Sequence, residues 1–199
     1  MEMRSALALA ALVSLWAGTA RAEPVGQFGD HRDVGFVSTA GRATFAGDAY
    51  RLSASGANIW GAADAFHYVW TERSGDLHIA ADIAFEGKGS DPHRKAGLMI
   101  RQNLSPGSPY ADVMVHGDGL VALQYREVQD GPTRQIVSAL SHARRVRLER
   151  EGDFVYFSVA GEDGVLHHAG GSFRIAFKDP YMVGLALSAH NNAVTEAAT

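Results

Sequence analysis

The chain has 199 residues, no cysteine and a formal charge of −4. A mildly acidic composition gives no basic field for nucleic acid or anionic membrane surfaces, and the missing cysteines exclude disulfides, metal-thiolate sites and thiol nucleophiles together. One domain with a sizeable core is the economical expectation, because chains of roughly 150 residues bury about 70% of their extended surface.

The N-terminal stretch MEMRSALALAALVSLWAGTARA sets Arg4 ahead of an apolar run and ends on Ala20-Arg21-Ala22, the pattern of a cleaved secretory leader. That run is roughly a dozen residues, short of the ~20 a membrane-spanning helix needs. The expectation is therefore a signal peptide over 1–22, cleavage after Ala22, and a periplasmic or secreted domain over 23–199 without membrane insertion. Losing Arg4, Arg21 and Glu2 with the leader takes the charge from −4 to −5.

Next comes GANIWGAADAFHYVW, residues 56–70, read as a loop that enters a strand. Phe66, Tyr68 and Trp70 alternate with His67 and Val69, so both strand faces carry bulky groups. The aromatic alternation suits core packing, Asp64 suits a loop tie, and Trp60 beside Gly61 is the ring available for stacking on a sugar.

From there to the C-terminus, segments of alternating polarity follow one another: 77–85, 96–102, 111–117, 120–127, 144–151, 154–161, 172–177 and 181–190. Between them lie turn signals such as Gly117-Asp118-Gly119 and Glu151-Gly152-Asp153. The first of these closes a hairpin over Val113–Tyr125 and the second one over Val146–Val159. No 3.6-residue apolar period follows the leader, and no repeat of fixed length appears. Many short strands with Gly-Asp turns predict an all-β antiparallel sandwich of the jelly-roll type.

The strands also carry a resemblance. DVG (33–35), GANIWGAADAFHYVW, SGDLHIAADI, KAGLMIRQNLSP, LQYRE and VGLALSAHN, in that order, resemble a bacterial family of concanavalin A-like jelly rolls of unknown function. The family is related in fold to laminin G-like domains, lectins and glucanases, and some members are labelled regulation-of-enolase proteins. The resemblance spans Gly35–Glu196 and is specific for fold rather than for function. It implies a glycan ligand or a cell-envelope protein partner, since relatives accompany glycan-processing modules or precede a TolB-type propeller. Relatives continue beyond the VGLALSAH segment into one more strand, whereas here the sequence ends on NNAVTEAAT, which implies a missing or replaced closing strand and an open edge.

Strand direction selects the candidate ligand face. If Leu98, Ile100, Val113, Val115, Val121 and Leu123 face the core, then Arg101, Asp112, Gln124 and Arg126 project together from the other side. Guanidinium and amide donors beside a carboxylate suit sugar hydroxyls; the alternative is a solvated face with weak ion pairs. His67, Tyr68 and Trp60 are the flanking candidates. No catalytic residue is assigned: Glu149 and Glu151 share a face, but they alternate with Arg147 and Arg150 and run into a hairpin turn rather than forming a glycosidase carboxylate pair, so a glycoside-active enzyme stays open as the third reading after glycan binding and protein interaction. The nine histidines include no helical His-x-x-x-His pair, and His167 and His168 point to opposite faces, so no transition-metal site is expected. No cofactor is implied; loop oxygens of 88–95 and 117–119 leave only a structural calcium open. A Gly-x-Ser-x-Gly elbow, a phosphate loop and a dinucleotide fingerprint are all absent.

Overall fold

The computed structural model describes residues 23–199, and the leader expected over 1–22 lies outside them. All regular structure among the described residues is β, and none of it is a helix able to cross a membrane. The strands are β1 (Asp30–Val34), β2 (Arg42–Ala46), β3 (Ala49–Ala54), β4 (Phe66–Arg73), β5 (Leu77–Asp82), β6 (Lys95–Arg101), β7 (Tyr110–His116) and β8 (Val121–Arg126). They continue with β9 (Arg134–Val137), β10 (Arg145–Glu151), β11 (Phe154–Ala160), β12 (His167–His168), β13 (Phe173–Arg174), β14 (Tyr181–Ser188) and β15 (Glu196–Ala198).

One layer is a seven-stranded antiparallel sheet in the order β1-β4-β14-β6-β7-β8-β9. The other contains the sheet β12-β11-β10-β5, with β13 also on β11, and the three-stranded sheet β15-β3-β2. These two smaller sheets are joined where the chain beyond β5 pairs with β15: Ala84 and Thr199 exchange both backbone hydrogen bonds, and Glu86 N–H donates to the Ala197 carbonyl. The protein is therefore an antiparallel β-sandwich, as the alternation predicted.

The inter-sheet core is built from one side of each expected strand. Leu98, Ile100, Val113 and Leu123 meet Val146, Leu148, Val155 and Phe157 across the layers, the side-by-side burial that two-period alternation demands. Both expected hairpins form. In the second, Val146 faces Val159 across the ladder, and Gly152 at φ 57° closes the turn, a conformation in which glycine carries no Cβ penalty.

Three departures have physical causes. First, β1, β2 and β9 lack the alternating signature because they are edge strands with little buried side-chain surface, whereas β3 does alternate, with Leu52 and Ala54 buried on one face and Arg51 and Ser53 on the other, and the sequence reading passed over it. Second, the segment expected over 172–177 shrinks to the two residues of β13. Third, Glu196–Ala198 is a strand, β15, bonded to β3, with Glu196 held by the buried Arg94 at 2.6 Å. An open groove of about 1070 Å³ lies between β5 and the start of β3, beside Ala198 and Thr199, and is floored by Ala96, Leu185 and Leu187.

Candidate functional site

Residues directly opposed across a ladder share a face. The register aligns Met99 with Asp112 and Gln124, and Arg101 with Tyr110 and Arg126. Arg101, Asp112, Gln124 and Arg126 thus stand on one face, as expected, and it is the face turned away from the inter-sheet core. It is not open, however. Residues 56–65 and 103–109 roof it, and all four side chains are buried. Phe66, Tyr68, Trp70, Met99, Tyr110 and Met114 form a second apolar cluster there with Ile59 from the roof. Burial on both faces is why β6 and β7 contain no exposed residue.

The two arginines are spent on holding this roof. Asp64 takes Arg101 at 2.7 Å on one oxygen, and Arg126 at 2.8 and 2.7 Å on both. Arg101 also donates to the carbonyls of Asn103, Ser105 and Pro106. Arg126 donates to those of Gly61, Pro106, Ser108 and Gly131. The Tyr110 ring lies 4.9 Å from the Arg126 guanidinium and 5.8 Å from that of Arg101, which adds cation–π attraction in a desolvated setting. A guanidinium offers five N–H donors, and these are engaged by the protein itself. The reading of Arg101 and Arg126 as ligand contacts is therefore corrected: they are roof clamps, and Asp64 is the tie it was expected to be.

A different part of the same face has polar capacity to spare. Asp112 is fully buried and neither carboxylate oxygen has a hydrogen-bond partner. Burial pushes its carboxyl well above the ordinary range, partly offset by the positive charge of Lys95. Lys95 is the residue that the sequence reading passed over, although it heads the β6 row that carries Met99 and Arg101. Its ammonium donates to the Ile59 carbonyl and to Gln124 Oε1, both at 3.3 Å. Desolvation lowers its pKa to about 8 against the pull of Asp112. Gln124 in turn donates to Gln135 on the exposed strand β9 at 3.2 Å. Above Lys95, at 5.9 Å from its Nζ, lies the ring of Trp60, which is 38% exposed. Trp60, Gln135, Gln124, Lys95 and Asp112 thus run from the surface into the face as an aromatic rim over alternating donors and acceptors.

The other two flanking candidates fall elsewhere. The Tyr68 hydroxyl donates to the Met99 carbonyl at 3.0 Å and is fully buried; burial raises its pKa. Tyr68 is core, not a ligand contact. His67 sits on the opposite side of β4, where Nδ1 lies 2.8 Å from Asp33 Oδ1 and Nε2 lies 3.1 Å from His31 Nδ1. It braces β1 against β4 and does not reach the Lys95 region. Glu149 is ion-paired to Arg147, and Glu151 is exposed at the hairpin end.

No family model and no curated protein matches this sequence. Solved structures do resemble the fold. A functionally unknown protein from Saccharomyces cerevisiae superposes with a TM-score of 0.59 and 14% identity, over 79% of this chain and 87% of that one. The GH43 protein BlXynB from Bacillus licheniformis, as its K247S mutant, superposes with a TM-score of 0.51 and 16% identity, over 74% of this chain and 31% of that one. At such identities the likeness establishes a shared all-β fold.

Proposed function

We propose that the protein is an exported carbohydrate-binding β-sandwich of the concanavalin A-like jelly-roll kind, acting by recognition rather than by catalysis. The observation that carries this reading is Trp60, a half-exposed indole set over the Lys95–Gln124–Gln135 row. Sugars present apolar C–H faces that pack on aromatic planes and hydroxyls that need paired donors and acceptors. Trp60 supplies the plane and Gln135 an exposed amide, held from behind by the buried Gln124. The fold likeness to part of a GH43 protein is compatible with a module that serves polysaccharide.

A glycan array followed by titration of the full mature chain tests the reading. Trp60→Ala removes an aromatic contact worth about 0.5–1.5 kcal/mol, a roughly 2–12-fold loss of affinity, and Gln135→Ala weakens binding while the fold stays intact. Absence of any glycan ligand, or binding indifferent to both substitutions, overturns it.

A second reading is favoured by the groove between β5 and β3, an unpaired edge over an apolar floor. Such an edge accepts an extended segment of a protein partner as an added strand. The chain has no cysteine, so Asp82→Cys gives a single attachment point for cross-linking at this edge. One partner captured there, with slowed hydrogen exchange over Leu77–Asp82 and no glycan bound, selects this reading over the first.

A further inference from the structure

Three stretches that are distant in sequence meet at the end of the outer face next to Lys95. The loop after β5 brings Asp91 and His93, β7 ends on His116 with Asp118 in the following turn, and the chain leaving β14 brings His190. Backbone hydrogen bonds fix the meeting. Gly117 N–H donates to the Arg94 carbonyl at 2.9 Å and Asp118 N–H to the Pro92 carbonyl at 2.8 Å, while Asp91 Oδ1 accepts His93 N–H at 2.7 Å.

The side chains converge on one point. One ligand-type atom from each of His93, His116 and Asp118 lies within 4.8 Å of the other two. His93 Nδ1 is 3.8 Å from Asp118 Oδ2, and the His93 ring is 6.1 Å from that of His116 and 5.4 Å from that of His190. His190 Nδ1 is 3.2 Å from Asp91 Oδ1. The decisive member is His116, which is only 5% exposed and has no hydrogen-bond partner on either ring nitrogen. A buried polar group without a partner costs about 1–3 kcal/mol, and folds rarely keep one unless something else satisfies it.

We propose that His93, His116 and Asp118 bind a divalent transition-metal ion of the zinc class. Two imidazoles with one carboxylate match the nitrogen-rich, borderline-soft sets that zinc takes, whereas calcium asks for six to eight oxygens. Zinc–ligand bonds of ~2.0–2.1 Å put tetrahedral ligand atoms roughly 3.3 Å apart, so the cluster has to close by up to about 1.5 Å. His93 and Asp118 are exposed and turn freely, while His116 provides the fixed point. The ion ties the 88–94 loop and the β7–β8 turn into one unit.

The test uses the mature chain, tag-free and dialysed against a chelator, titrated calorimetrically with Zn²⁺ and, for the ligand set, with Co²⁺ followed by its visible absorption. One equivalent binds saturably, and Co²⁺ shows the intense bands of a low-symmetry nitrogen-containing site. His93→Ala and Asp118→Asn, both at exposed positions and checked for folding by circular dichroism, each weaken Zn²⁺ by at least about tenfold, the loss that even outer-shell partners produce. His167→Ala, at the exposed His167–Asp163 pair, leaves affinity unchanged. No saturable binding by wild type, binding retained in both variants, or a site that takes Ca²⁺ and is not displaced by Zn²⁺ overturns the assignment.

Discussion

Asp64 is the residue on which the outer face depends. Its carboxylate is fully buried between two guanidiniums that are themselves fully buried, and removing one partner of such a cluster leaves uncompensated charge in a low dielectric. Asp64→Asn is expected to cost about 3–5 kcal/mol in urea unfolding; a loss under about 1 kcal/mol would show that the arginines reach solvent. Asp112 behaves differently because no cation bonds it directly. Its native pKa lies above the unfolded value through desolvation, so the native state holds the proton that the unfolded chain releases near pH ~3.9. The stabilisation is complete below that pH and is lost as pH rises through the native pKa, at about 1.4 kcal/mol per pH unit. Asp112→Asn removes this dependence, and urea midpoints at a series of pH values from acid to neutral should show a flatter profile than wild type.

Among the elements, β15 and β14 show the two ways in which short or tight strands are secured. Glu196 of β15 accepts Ser90 N–H and Oγ–H as well as Arg94. Desolvation opposes its ionisation, but these hydrogen bonds and the Arg94 charge win and hold its pKa below the usual Glu value. Its stabilisation is therefore present above the ordinary Glu range and lost as pH falls through the lowered native pKa. Glu196→Gln should destabilise by roughly 3 kcal/mol at pH 7, since Arg94 stays buried without its carboxylate, and should lose part of the wild-type acid dependence below pH ~4.5. In β14 the constraint is steric: a Cβ on Gly184 would lie 1.8 Å from the Val69 carbonyl oxygen. Gly184→Ala therefore forces β14 and β4 apart in the centre of the seven-stranded sheet, and thermal unfolding should show a loss far above the half to one kcal/mol that glycine normally costs in a strand.

At the scale of the whole molecule, β15 bonds the three-stranded sheet to the chain leaving β5 of the other small sheet. Deleting 196–199 should therefore lower the melting temperature and also extend the open groove into a longer unpaired edge, so that light scattering rises at micromolar concentration. A deletion that melts like wild type and stays monodisperse would mean that the two sheets are held by their shared core alone.

The sequence by itself determined the fold class, because strands buried on one side must alternate and Gly-Asp turns must reverse them; β5 to β8, β10, β11 and β14 lie where that alternation placed them. It determined which side chains share a face, because the period of two is a property of the strand itself, so Arg101, Asp112, Gln124 and Arg126 stand together as expected. Only the tertiary structure decided what covers that face. The roof comes from residues 56–65 and 103–109, remote from β7 and β8 in sequence, and it turned two candidate ligand contacts into clamps on Asp64 while leaving Trp60 at the rim. Likewise, His93, His116 and Asp118 show no motif spacing, since the loop after β5 and the end of β7 with its following turn bring them together. Periodicity is local and can be read along a chain, whereas burial and convergence arise from contacts between segments that the order of residues does not list.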